Sequence, residues 1–258
     1  MTAYMDRKDL TNRDIPAERR RQITDNVRRV LDTIAAAEQQ SGRPEGAVRL
    51  LAAVKTRDAG EIMAAVDAGV PMIGENRPQE AVAVGGILAE EFSRRGIAVP
   101  FHLIGQLQSN KINKILPYVD TVESVDSAKL AGKISARAAA VQKHLDIFLE
   151  VNVSGESSKS GCEPERAQDI AGEIAGLPGL TLVGLMAVGA HVDDRTQVSR
   201  GYDRLRALRD AVAASGGEGT ETCTQLSMGM SGDYQLAIAA GATVIRLGTA
   251  IFGERAYK

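Results

Sequence analysis

The sequence predicts an α/β protein that forms a single (β/α)8 barrel of the TIM type with an additional N-terminal helix. Eight short apolar segments are predicted as strands, helical segments alternate with them without interruption, and 258 residues is an ordinary length for such a barrel. An open doubly wound sheet usually has fewer strands. We expect residues 16–258 to form the barrel domain and residues 1–15 a flexible N-terminal segment.

The first predicted element is an amphipathic helix over residues 16–40. Pro16 suits a first helical position, where its missing N–H costs nothing. Apolar residues recur at helical spacing from Ile23 to Ile34, with Arg and Asp between them. The Ser-Gly-Arg-Pro sequence at residues 41–44 ends the helix.

The alternation of strands and helices then runs to the end of the chain. Short apolar runs predict strands over residues 48–54, 72–74, 101–105, 121–125, 146–153, 180–188, 225–228 and 243–248. The segments between them predict helices over residues 59–68, 78–95, 111–116, 127–142, 164–175, 195–214 and 233–240.

Composition excludes several classes of function. The net charge is −2 with acids and bases interspersed, so we expect no nucleic-acid partner. No apolar stretch has the length of a signal-peptide core or a membrane span, which predicts a cytoplasmic protein without a membrane partner. Cys162 and Cys223 share no motif, as expected in a reducing compartment.

A lysine at a strand end is the first candidate for chemistry. Lys55 follows the apolar run at residues 48–54, and turn and helix signals come directly after it. A charge at the end of a buried strand is costly unless it is paired or used. Such a lysine can become a nucleophilic amine for Schiff-base chemistry. The alternative is a lysine that only extends past the strand end into water.

A second candidate lies after strands seven and eight, whose loops are the usual phosphate site of these barrels. The glycines of residues 227–233 let backbone N–H groups approach a ligand, and Ser231 stands at a helix N-terminus, which binds anions. A simple turn with a helix cap is the alternative. Asn152 and Arg246 each interrupt an apolar run, and Gly248 and Thr249 follow Arg246.

Three other kinds of functional motif are not supported by the sequence. Residues 105–111 have the length of a Walker loop but carry Asn where the second glycine is needed. The histidines lack metal-ligand spacing, so no metal site is predicted, and no Gly-x-Ser-x-Gly nucleophile turn is present. The amine, the phosphate loop and the arginine together favour an aldehyde with a phosphate group, for which pyridoxal 5′-phosphate (PLP) is the obvious candidate.

Ordered motifs along nearly the whole chain resemble those of the pyridoxal phosphate homeostasis proteins, which are related to the barrel domain of the fold-type III alanine racemases. Only the first fifteen or so residues lie outside the match. The matching segments are AVKT at 53–56, GENRPQE at 74–80, HLIGQLQSNK at 102–111, VNVSGE at 151–156, KSG at 159–161, GLM at 184–186, LSMGMSGD at 226–233 and RLGTAIFGER at 246–255.

The resemblance implies seven cofactor-binding residues. Lys55 is expected to form the internal aldimine, and Arg246 to face the pyridine nitrogen. The others are Ser231, Gly248 and Thr249, which would hold the phosphate, and Asn76 and Met228, which would line the ring pocket.

An arginine at the pyridine nitrogen disfavours ring protonation, which makes the ring a weaker electron sink. Alanine racemase adds a tyrosine base from the partner subunit's extra β domain, whereas this chain ends at Lys258, soon after strand eight. No tyrosine here is predicted at a strand end aimed into the pocket, although Tyr234 lies close by in sequence. We therefore expect a monomeric PLP carrier that serves intracellular PLP homeostasis and passes PLP to apo-enzymes without turnover of its own.

Two alternatives stay open at this point. The first is a PLP-dependent amino-acid racemase of fold type III in which Lys55 acts as one base, and loss of an amino acid's α-proton would distinguish it. The second is an aldolase that uses Lys55 on a sugar phosphate, and it would lack the visible absorbance of a PLP aldimine. Lys159 and Ser160 are expected in a solvated loop.

Overall fold

The computed structural model describes residues 8–156, 160–190, 192 and 194–254. Its strands are parallel and close into a barrel in chain order. They are β1 (Arg49–Ala53), β2 (Met72–Glu75), β3 (Phe101–Leu103), β4 (Thr121–Val125), β5 (Leu145–Glu150), β6 (Leu180–Met186), β7 (Gln225–Ser227) and β8 (Val244–Leu247). The first and last strands pair with Leu51 opposite Arg246, which closes the ring.

Helices surround the barrel, in agreement with the predicted fold class. They are α1 (Ala17–Gln40), α2 (Ala59–Asp67), α3 (Pro78–Arg95), α4 (Ile112–Ile115), α5 (Ala128–Ala140), α6 (Ala167–Ala175), α7 (Arg195–Ala213), α8 (Tyr234–Ala239) and α9 (Thr249–Phe252). Short 3-10 turns lie at Ser109–Lys111, Pro164–Arg166 and Thr220–Thr222. In the described ranges, no helix combines the length and hydropathy needed to cross a membrane.

Several strands end earlier than the sequence predicts. In the runs predicted over residues 101–105, 146–153 and 180–188, the strands end at Leu103, Glu150 and Met186. The next residue of each run still bonds to the neighbouring strand, because the amides of Ile104, Val151 and Ala187 donate to backbone carbonyls there, and Val151 and Ala187 are buried. Pro16 precedes the helix as its cap, in an extended conformation with ψ 143°.

The N-terminal helix supports the end of the barrel where the chain finishes. Helix α1 packs against α2, α8 and α9. Asn26 Nδ2 donates to the carbonyl of Ile251 and Arg19 Nη2 to that of Phe252, both at 2.8 Å. Since α9 has only four residues, these bonds from α1 fix its position after β8.

Residues 8–15 belong to the segment that the sequence predicts to precede the domain. They run along α2, where the amides of Ala59 and Gly60 donate to the carbonyls of Leu10 and Asn12. A Cβ at Gly60 would lie 2.6 Å from the carbonyl oxygen of Arg13, so the close approach requires glycine. Residues 1–7 lie outside the described residues, and the domain boundary at residue 16 stays a prediction.

The barrel interior is only partly apolar, although branched apolar side chains usually fill it. Two small apolar clusters face each other across it: Leu51, Met72 and Val244 form the first, and Phe148, Val183 and Met186 form the second. Four polar side chains lie alongside them and form a hydrogen-bonded row that we call the polar seam: His102, Glu123, Ser227 and Arg246.

Candidate functional site

A cavity of about 310 Å³ opens at the carboxyl ends of the strands, at the lower end of the size range of small-molecule pockets. It brings together six of the seven predicted site residues: Lys55, Asn76, Ser231, Arg246, Gly248 and Thr249. The other lining residues come from β1, from the loop after β3, from the loop after β6 and from the loop after β7: Ala53, Ile104, Val188, Gly189, Ala190, Met230, Gly232 and Asp233.

Met228 is the predicted site residue that the structure does not bring to the cavity. Side chains alternate along a strand, and Ser227 points inward, where it accepts a hydrogen bond from Arg246. The next residue therefore points outward, and Met228 is fully buried in the core between the strands and the helices. Met230, two residues further on, lines the cavity instead.

The turn that presents Lys55 has an unusual backbone. Thr56 has a φ of 67°, in the left-handed region that a β-branched residue rarely adopts. Its amide donates to Glu80 Oε2 at 2.9 Å, and the amide of Arg57 closes the turn onto the carbonyl of Val54 at 2.9 Å. Strained backbone of this kind persists where surrounding contacts hold it in place, and here Glu80 supplies such a contact.

A pair of buried carboxyl groups, Glu75 and Glu80, lies near Lys55. Burial, together with the charge and hydrogen bond of Glu80, raises the pKa of Glu75 well above its usual range. The charge of Lys55 acts in the opposite direction, so its ammonium lies within electrostatic reach of Glu75. A raised pKa favours the neutral form of Glu75, which limits the repulsion between its carboxyl group and that of Glu80.

The opposite wall of the cavity joins the loop after β7 to the turn after β8. Ser231 Oγ accepts a hydrogen bond from the amide of Ala250 at 3.3 Å, which ties the two segments together. Thr249 begins α9, so its amide has no acceptor within that helix. A Cβ at Gly248 would come within 3.2 Å of the carbonyl oxygen of Ala53, so the turn lies close against β1.

Asp233 adds a carboxylate to this wall, and each of its two oxygens accepts a hydrogen bond from the protein. Tyr202 donates its hydroxyl to Oδ2 at 2.8 Å, and the amide of Met230 donates to Oδ1 at 2.7 Å. Burial and the carboxylate together raise the pKa of Tyr202. Tyr202 lies directly behind the cavity wall, since a Cβ at Gly189 would meet its hydroxyl oxygen at 2.5 Å.

Asn76 supplies a buried acceptor at the cavity. Its Oδ1 has no hydrogen-bond partner among the described residues. Unsatisfied buried polar atoms are uncommon in folded proteins and call for an explanation such as a ligand. The loop after β3 supports Asn76 closely, because a Cβ at Gly105 would lie 2.2 Å from the backbone oxygen of Asn76.

Arg246 is held by its hydrogen bonds to Ser227, in the polar seam, and to the carbonyl of Ala187. Its Nη1 donates to Ser227 Oγ at 2.7 Å and its Nη2 to the carbonyl of Ala187 at 2.9 Å. Ser227 donates to Glu123 Oε2 at 2.6 Å, and His102 Nδ1 lies 2.6 Å from Glu123 Oε1. Burial works to raise the pKa of Glu123, but His102, Arg246 and Ser227 hold it below its usual value.

Together these groups fit a small phosphorylated aldehyde. The amine of Lys55 and the guanidinium of Arg246 supply positive charge, Ser231 and Thr249 carry hydroxyl and amide donors, and Asn76 offers an unpartnered acceptor. The described ranges contain no group of three or more His, Cys, Asp or Glu side chains that could hold a metal ion.

Some residues are placed differently from what the sequence suggested, and others were missed. Asn152, which interrupts an apolar run, accepts hydrogen bonds from Ser154 within its own loop and does not line the cavity. Glu123 was missed, although a charged residue in the middle of a buried strand is the same signal that identified Arg246. Ser160 is exposed, and Lys159 lies outside the described residues.

Sequence comparison relates most of the chain to known proteins. Residues 23–256 match the family profile described as "Alanine racemase, N-terminal domain". A "Pyridoxal phosphate homeostasis protein" of Vibrio cholerae is 39% identical over 237 residues, which cover 92% of this chain and 98% of the relative. The proteins of that name from Pseudomonas aeruginosa and Escherichia coli are 40% and 36% identical, covering 91% of this chain and 96% and 97% of theirs.

Solved structures are also similar to this chain. An unknown protein from Bifidobacterium adolescentis is 59% identical with a TM-score of 0.93, covering 95% of this chain and all of the other. PipY of Synechococcus elongatus with PLP bound is 30% identical with a TM-score of 0.72, covering 85% of this chain and 100% of its own. An alanine racemase of Clostridium difficile, 18% identical with a TM-score of 0.66, covers 91% of this chain and 58% of its own, and shows the shared fold alone.

Proposed function

Since this chain belongs to the family of the pyridoxal phosphate homeostasis proteins, we propose that it holds PLP reversibly through Lys55 and serves PLP homeostasis without turnover of its own. The observation that carries the proposal is the convergence of Lys55, Asn76, Ser231, Arg246 and the turn after β8 on one cavity of about 310 Å³. The PLP found in the related PipY supports it.

Lys55 is the residue to which PLP is attached in this proposal. Its Nζ adds to the aldehyde carbon, the aldehyde oxygen leaves as water, and a C=N bond forms without any oxidant or reductant. Hydrolysis reverses the step and releases the intact aldehyde. The strained turn at Thr56, held by Glu80, fixes the backbone from which the amine projects into the cavity.

The phosphate group would bind between the loop after β7 and the turn after β8. Ser231 and Thr249 contribute hydroxyl groups, and the amide of Thr249 has no acceptor within α9, while Gly248 lets the chain approach closely. The carboxylate of Asp233 is the unfavourable group on this wall. Its hydrogen bonds from Tyr202 and Met230 reduce that repulsion.

Arg246 favours holding PLP over turnover. When bound, PLP supplies a reactive aldehyde and a ring that accepts electrons best when its nitrogen is protonated. In this proposal the guanidinium of Arg246 faces the ring nitrogen, and a permanent cation there disfavours protonation of the nitrogen. Among the described residues no tyrosine lines the cavity, and Tyr202 behind the wall donates its hydroxyl to Asp233, which makes it a poor base.

The proposal includes a monomeric, cytoplasmic protein that exchanges PLP with apo-enzymes and has no nucleic-acid or membrane partner. The second candidate is a fold-type III amino-acid racemase, which the placement of Lys55 in the cavity also permits. The two differ in whether an amino acid loses its α-proton.

Proton exchange in heavy water separates the two candidates. PLP-loaded protein would be incubated with a panel of amino acids and followed by NMR, with Lys55→Ala as the control. We expect a visible absorbance band that depends on Lys55 and no α-proton exchange above the control. Lys55-dependent exchange at many turnovers would contradict a carrier and identify an enzyme and its substrate.

A further inference from the structure

Glu123 places an ionised carboxylate inside the barrel, where apolar side chains are the rule. The residue is fully buried at the middle of β4, and the contacts of the polar seam keep its pKa below the usual value despite burial. A buried charge is costly unless it is paired and hydrogen-bonded. Burying Glu123 therefore costs folding free energy, and the residues that it contacts indicate its role.

The hydrogen bonds of the seam have one direction only. Arginine can only donate and an ionised carboxylate can only accept. Ser227, between them, must therefore accept from Arg246 at 2.7 Å and donate to Glu123 at 2.6 Å. Glu123 Oε2 also lies 3.8 Å from Arg246 Nη1, so the two charges attract each other through and beside the hydroxyl.

These contacts fix the guanidinium of Arg246 at the floor of the cavity. Both terminal nitrogens are engaged, Nη1 by Ser227 and Nη2 by the carbonyl of Ala187. His102 binds the other oxygen of Glu123 at 2.6 Å and holds the carboxylate in place. A long side chain that lines a binding site keeps one geometry only when supporting residues restrain it in this way.

We propose that Glu123 is a positioning residue for PLP, which acts through Ser227 to hold Arg246 against the ring nitrogen. This inference rests on the proposed function. Without the carboxylate charge, the hydroxyl of Ser227 loses its fixed orientation, and Arg246 loses the ionised carboxylate that lies 3.8 Å from its Nη1. The substitution therefore weakens recognition of the ring nitrogen and leaves the amine of Lys55 and the phosphate wall unchanged.

Two ligands test this inference: PLP, and the analogue in which a C–H group replaces the ring nitrogen. Glu123→Gln keeps the shape of the side chain and removes its charge. We expect this variant to bind PLP about tenfold more weakly, the loss typical of one charged hydrogen bond, and the analogue within about twofold of wild type. Dissociation constants come from titration of the bound chromophore, and urea unfolding checks that the variant is folded.

Glu38→Gln is the matched control. Glu38 is another buried carboxylate, which accepts the amides of Gly46 and Val48 ahead of β1 and has no contact with the cavity. We expect lower stability from this control and unchanged affinity for both ligands. Should Glu123→Gln not fold, Ser227→Ala removes the bridging hydroxyl and is expected to give the same selective loss.

Equal losses for PLP and the analogue would overturn the inference, because a merely structural role for Glu123 does not depend on the ring nitrogen. Unchanged PLP affinity in Glu123→Gln would also overturn it. Wild-type protein that fails to bind PLP would instead refute the proposed function and the inference with it.

Discussion

Gly105→Ala tests how closely the loop after β3 supports the cavity. A Cβ at this position would lie 2.2 Å from the backbone oxygen of Asn76 and 2.9 Å from its carbonyl carbon and Cα. All three atoms belong to the backbone, so no side-chain rotation can relieve the contact. The main chain at Asn76 must move by about 1 Å to restore van der Waals separation.

The size of the effect follows from that displacement. Overpacking of a tight site costs about 1–3 kcal/mol, so we expect the free energy of unfolding to fall by that amount. Asn76 lines the cavity, and a shift of about 1 Å in a binding group can weaken its contribution strongly. We expect the affinity for PLP to fall by about tenfold, a change of about 1.4 kcal/mol.

Urea unfolding and titration with PLP measure the two quantities on the same preparation. Gly132→Ala in α5 is the matched control, because its Cβ would meet no atom within 4 Å. In a helix interior this control should raise stability by about 0.5–1 kcal/mol and leave PLP binding unchanged. If Gly105→Ala kept wild-type stability and affinity, the close support of Asn76 would be refuted.

The remaining predictions concern buried titratable groups. Burial raises the pKa of Glu150 from 4.5 to about 7, so the folded protein binds this proton more tightly than the unfolded chain and loses stability as pH rises through that window. Relative to wild type, Glu150→Gln should gain up to roughly 3 kcal/mol in unfolding free energy between pH 4 and pH 8, and a pH-independent difference would contradict this. Burial also raises the pKa of the Cys162 thiol to about 11 and that of Cys223 to about 12. Both thiols should react with a thiol reagent only slowly until the protein unfolds, and fast labelling of native protein would show this to be wrong.

The sequence was most informative where a charge ends or interrupts an apolar run. Lys55 and Arg246 were found in this way, and both line the cavity. Glu123 carries the same signal, but its meaning depends on Ser227, which lies 104 residues away and meets it only once the barrel closes. The raised pKa of Glu75 likewise depends on burial and on its contact with Glu80, and neither can be read from the sequence.

Local geometry limited the rest of the prediction. Which residues at the end of β7 face the cavity depends on how side chains alternate there, and in the structure Met230 lines the cavity whereas Met228 is buried in the core. Helix α9, with four residues, is too short to show a helical period. The left-handed backbone at Thr56 has no sequence signal either, because glycine or asparagine is the usual residue there.

The attachment of PLP to Lys55 is tested most directly by chemical trapping. PLP-loaded protein would be reduced with borohydride, which fixes a C=N bond as a stable amine, then digested and analysed by mass spectrometry. We expect one phosphopyridoxyl group on the peptide that contains Lys55, and no visible absorbance band in Lys55→Ala. A label on a different lysine, or PLP that binds in Lys55→Ala with an unchanged spectrum, would contradict the proposed function.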